Sequence, residues 1–137
     1  MDNIIDFFED RYVFLRKLKQ QTYEENTRAF EEKFGSILDD MLTRSADEAD
    51  KISREFASGV FEHFAKKGKI KGDVLMDLNF CMVYYVFPYL LKNKDKGGEE
   101  FAAVLKDKWN ETMGSNISYT TYEDLYSGFK KKLFGFF

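Results

Sequence analysis

One cysteine, one proline and one histidine among 137 residues remove several chemistries at once. A lone thiol, Cys81, forms no internal disulfide, and structural zinc sites use a cluster of two to four cysteines. Histidine metal sites generally draw on two or more imidazoles, whereas His63 stands alone. A ferritin-like di-iron site requires Glu-x-x-His on a helix. Val60 occupies the place of that glutamate, so Glu62 and His63 do not complete the motif. The sequence also lacks a Gly-rich phosphate loop and a nucleophile elbow. No catalytic, cofactor-binding or metal residue is assigned on this reading, and no cofactor is expected.

Other scarcities are equally informative. A single proline in a chain of this length points to long uninterrupted helices, because proline breaks helices and populates loops. Positive charge is not in excess: the formal charge is −3 and the isoelectric point about 5.3. A duplex-binding domain carries a basic surface that displaces counterions, so nucleic acid is not an expected partner. The opening "MDNIIDFFEDRYVFLRKL" has early acidic residues and no long apolar core, unlike a secretory signal. Together with the lone cysteine, this gives a cytoplasmic expectation.

What the chain has in quantity is aromatic and charged side chains. Hydrophobic residues make up 44% and charged residues 33%, with 15 Phe and 8 Tyr. Such a balance fits one soluble domain over residues 1–137, with a core of useful size. Ile5, Phe8, Tyr12 and Leu15 recur at helical spacing, and the stripe resumes at Phe30, Phe34, Ile37, Leu38 and Met41 after the polar "KQQTYEENTR". This predicts one long helix over about 3–42 with a bend, or two helices joined near 20–22. "SADE" at 45–48 has the form of a capping box that starts a second helix. That helix would bury Ala49, Ile52, Phe56, Val60 and Phe64 and end in "KKGKIKG".

A third helix starts near Asp73 and is apolar around its whole circumference, from Leu78 through Phe87. A helix of that kind is buried on all sides or lies in lipid. The apolar run over 80–91 is about twelve residues, against the roughly twenty that a span requires. The expectation is therefore a buried central helix near 73–91, with no transmembrane segment. Pro88 should kink or end it. A fourth helix opens at Gly97 and Gly98, with Phe101, Leu105 and Trp109 or Val104 inward, and closes at Gly114. A fifth, introduced by Thr120 and Glu123, would bury Tyr122, Leu125, Tyr126, Phe129 and Leu133. The fold class is all-α, a single-domain bundle of five or six helices.

Two groups of residues stand out as candidate sites. His63 falls on the arc defined by Ile52, Phe56 and Val60, where it serves either as a hydrogen-bonded core residue or as a polar handle in an apolar pocket. Cys81, Tyr84 and Tyr85 are the residues expected across from it. The C-terminal Phe129, Phe134, Phe136 and Phe137 flank Lys130, Lys131 and Lys132. They form a candidate contact surface, with docking onto the core and contact with a membrane surface as alternatives. The acidic pairs Glu24/Glu25, Glu31/Glu32 and Asp39/Asp40 read as a solvated helix face. The combined expectation is a non-enzymatic helical protein that acts through protein contacts as a homo-oligomer or with a protein partner. The alternative is a helical bundle that binds or senses a small-molecule ligand in an aromatic pocket beside 80–91.

Overall fold

A computed structural model describes Phe8, residues 23–65, Ile70 and residues 72–118. Among the described residues the structure is helical and without strands, so the chain is all-α. They form three helices: α1 (Tyr23–Phe64), α2 (Asp73–Lys92) and α3 (Gly98–Met113). Of the expected helix over 3–42, the part before residue 23 other than Phe8 lies outside the described residues, as do most of the "KKGKIKG" stop and the whole expected helix after Thr120, so whether 3–42 is one helix or two is not described and five or six helices is not the count found among the described residues.

α1 follows the apolar stripe read from the sequence. Phe30, Phe34, Leu38, Met41 and Leu42 are buried, and after a break so are Ile52, Phe56, Ala57 and Val60. The two helices expected on either side of residue 45 meet at a kink inside this stretch, where Glu48 takes the non-helical φ −133° and ψ 36°. The predicted capping box is displaced with it. Ser45 Oγ donates to the Leu42 carbonyl at 2.7 Å, and Thr43 Oγ1 donates to the Asp39 carbonyl at 2.9 Å. Hydroxyls that bond back to the preceding turn compete for helix acceptors and bend helices. The bend thus follows the two hydroxyl residues, and the helix resumes at once because Ala49, Ile52 and Ser53 keep the buried face in register.

α2 does not end at Pro88. The turn before it, Met82–Val86, is a π turn, in which the Phe87 N–H reaches the Met82 carbonyl. Proline lacks an N–H and its ring collides with the carbonyl four residues back in a regular helix. An inserted π turn changes which carbonyls meet which donors, and the helix runs on to Lys92. A 3-10 turn, Lys94–Lys96, then reverses the chain. Gly98 is required at the start of α3. A Cβ built there would lie 1.8 Å from the Leu90 carbonyl oxygen and 2.8 Å from that of Asn93. Gly114 ends α3 at φ 66°, with the Ser115 N–H returning to the Asn110 carbonyl at 3.1 Å.

α1 makes its most extensive contact with α3, and the C-terminal half of α2 packs on both. The core between them is aromatic. Phe8 stacks on Trp109 at 5.7 Å and meets Phe56 edge-on at 5.1 Å. Phe30 packs on Tyr85 at 5.2 Å. Phe101, Leu105 and Trp109 face inward, as their spacing predicts, while Val104 is half-buried.

Candidate functional site

The expectation that α2 is buried on every face requires correction. Met76 is 69% exposed and Phe80 is 41% exposed. Phe80 stacks on Tyr84 at 4.2 Å with 24° between the rings. Met76, Phe80 and Tyr84 lie four residues apart, so they share one side of the helix. Among the described residues, Met76 and Phe80 are the large exposed hydrophobic side chains. The opposite side carries Leu78, Cys81, Met82, Tyr85 and Val86, all buried.

α2 is also long and apolar enough to cross a membrane, at 20 residues, which the twelve-residue apolar run had understated. Half of its most apolar window is buried against the other helices. Polar bonds fix its C-terminal half to α1. Tyr89 donates its hydroxyl to Asp39 Oδ1 at 2.6 Å, and Lys92 Nζ meets Glu31 Oε1 at 2.7 Å. Burial holds the Tyr89 phenol well above its ordinary value of 10, and the hydrogen bond to Asp39 and the charges of Asp39 and Glu31 act in the same direction. Tyr89 is therefore a protonated donor that ties α2 to α1, not a base.

The N-terminal half of α2 is held differently. Trp109 Nε1 donates to Asn79 Oδ1 at 2.8 Å, and Asn79 Nδ2 donates to Ser115 Oγ at 3.1 Å. Asn110 then secures the chain beyond α3. Its Nδ2 donates to the Ile117 carbonyl at 2.8 Å, and its Oδ1 accepts the Ile117 N–H at 3.0 Å. Ser115 is thereby held to Asn79, and Ile117 to Asn110. Sequence reasoning missed this network, because neither asparagine belongs to a recognisable spacing.

The four candidate pocket residues have distinct settings. Cys81 and Tyr85 are buried, and Tyr85 lies against Phe30 in the first half of α1. Tyr84 is half-buried on the opposite side and stacks on Phe80. His63 is half-buried in the last turn of α1, where it meets Phe64 edge-on at 4.9 Å. Phe129, Phe134, Phe136 and Phe137 lie outside the described residues. Among those described, no group of three or more His, Cys, Asp or Glu is arranged to hold a metal ion. Asn26 Oδ1, Thr27 Oγ1 and Ser53 Oγ are buried without a hydrogen-bond partner, and the structure offers no physical account of them.

The ridge had a signal in the sequence. Positions 76, 80 and 84 repeat at helical spacing, but apolar residues on the other faces of the same helix concealed it. No protein-family model matches this chain, and no curated protein or solved structure is matched by it.

Proposed function

We propose that this protein is a non-enzymatic helical contact domain, and that it associates with a second copy of itself through the outer face of α2. The observation that carries this reading is the ridge of Met76, Phe80 and Tyr84. Contiguous apolar surface at solvent is unfavourable, at roughly 25 cal/mol per Å² left in water, and on soluble proteins such patches mark interaction sites. Preformed stacking of Phe80 on Tyr84 lowers the entropy lost on association, since two rings already hold one arrangement. Cys81 and Tyr85, the residues on which the alternative of a ligand pocket rests, are buried in the core and contribute nothing to this outer face.

Sedimentation or light scattering across a concentration series tests the reading. The expected mass exceeds the 16.2 kDa of one chain as concentration rises into the micromolar range and above. Phe80→Asp is expected to return the mass to one chain without unfolding it. A mass of one chain at every concentration for the unaltered protein would reject the self-association reading.

A further inference from the structure

The π turn of α2 also sets the direction in which the first half of that helix faces. An N–H that bonds five residues back instead of four places one extra residue in the turn. Everything before it is displaced by one helical position, about 100° around the axis. The Phe87 N–H makes such a bond to the Met82 carbonyl. With Tyr89 and Lys92 fixed to Asp39 and Glu31, each residue of 73–81 stands where the next residue would stand in a regular helix. Closing 82–86 as a regular helix would carry Cys81, now fully buried, to the place of Phe80, which is 41% exposed. Phe80 would take the place of Asn79 against Trp109, and Asn79 the fully buried place of Leu78. Met76 would take the half-buried place of Leu75.

Two residues oppose that closure, one on each side of the turn. Pro88 has no N–H to offer the Tyr84 carbonyl, and its ring collides with that carbonyl in a regular turn. Asn79 accepts from Trp109 Nε1 at 2.8 Å and donates to Ser115 Oγ at 3.1 Å, and an amide moved into the place of Leu78 would lose both bonds inside an apolar core. We propose that Pro88 and Asn79 together hold the π turn as the device that aims Met76 and Phe80 outward. The inference rests on the reading of that face as a docking surface, and it makes Pro88 and Asn79 positioning residues for a surface to which neither belongs.

Maleimide labelling of the full chain at nanomolar concentration, where copies are apart, reads the rotation, because thiol reactivity follows exposure. Buried Cys81 is the first reporter. Asn79→Leu with Pro88→Ala removes both holds and gives the inner position an apolar side chain. Cys81 is then expected to react at least tenfold faster. The second reporter is Met76→Cys in a chain with Cys81→Ser, and the same two substitutions are expected to slow it about threefold. Loss of stability alone would speed both thiols, so a parallel rise overturns the proposal, as does no change in either. Deleting Val83 from a chain with Pro88→Ala removes the extra residue and keeps Asn79 on Trp109. That chain is expected to fold, with Cys81 slow and the thiol at 76 fast. Should the double variant not fold, the deletion decides alone: a fast Cys81, or a chain that does not fold, overturns the proposal. Mass separates this inference from self-association. Opposite changes in the two thiols, with a single-chain mass for the unaltered protein at every concentration, would reject self-association and leave the aiming of the face standing. Association of the unaltered protein with both thiols unmoved would do the reverse.

Discussion

Residues 73–81 and 82–92 of α2 belong to one apolar stretch, yet the first half presents Met76 and Phe80 to solvent while the second buries Met82, Val86, Phe87, Leu90 and Leu91. Composition does not separate them. Neighbours do. The second half is where α1 crosses, with Phe30 against Tyr85, Asp39 bonded to Tyr89 and Glu31 paired with Lys92. Among the described residues the first half is covered on its inner side, through Leu78 and the Asn79–Trp109 bond. An apolar residue is thus structural or available for contact according to which helix lies over it. The lesson is that hydrophobicity marks surface that favours burial, not surface that the monomer itself buries.

The largest expected effect comes from placing one carboxylate in each half. Val86 is fully buried, and Val86→Asp would put an unpaired charge in an apolar interior, with a cost of several kcal/mol that exceeds the margin of an average small domain when added to the lost packing. We expect no cooperative unfolding transition in urea for this variant. Phe80→Asp is expected to remain folded, within about 1 kcal/mol of the unaltered protein, as for exposed substitutions generally. Similar losses for both variants would erase the distinction between the halves.

A smaller effect tests how the second half is joined to α3. Gly98→Ala drives a methyl group into the carbonyl oxygens of Leu90 and Asn93. Backbone atoms cannot rotate aside as a flexible side chain can, so the α2–α3 turn must open. A loss of about 2–4 kcal/mol is expected from denaturant unfolding, in the range of overpacked sites. An unchanged midpoint would mean that this turn is loosely held and that the close approach contributes little.

Smallest is the effect of the hydroxyl that pins α2 to α1. Tyr89→Phe removes the bond to Asp39, a half-buried contact whose acceptor is exposed, and is expected to cost about 0.5–1.5 kcal/mol near neutral pH. The phenol is raised above its ordinary value of 10, so the folded state binds its proton more tightly than the unfolded state. Its contribution is fully present below about pH 10 and declines as pH rises toward the folded value. The stability difference between the unaltered protein and Tyr89→Phe should therefore shrink above pH 10. A difference that grows with alkalinity would reverse the assigned direction.

Much of the fold was legible in residue spacing. The buried stripe of α1 and the inner face of α3 at Phe101, Leu105 and Trp109 follow from a 3.6-residue period interrupted by polar residues. The break in α1 was legible only to within three residues, because "SADE" signals a helix start while the deviation sits at Glu48. The sequence left open whether α2 kinks or ends at Pro88, and the π turn by which it passes was not legible, since such a turn depends on the packing that rewards a continuous helix. Of the candidate site residues, Tyr84 takes part in the ridge, and Met76 and Phe80 were passed over because surrounding apolar residues hid their periodicity.

By itself the sequence determined the all-α class and the apolar positions that must leave water, because helix propensity, proline scarcity and hydrophobic period act locally along the chain. Only the tertiary structure decided which of those positions the described bundle covers. A helix that is apolar on every side fits equally well in any rotation about its own axis, and its orientation is set by specific partners, here Phe30, Asp39 and Glu31 on one helix and Trp109 on another. Those partners are distant in sequence, so the face left to Met76 and Phe80 becomes visible only once the helices are packed.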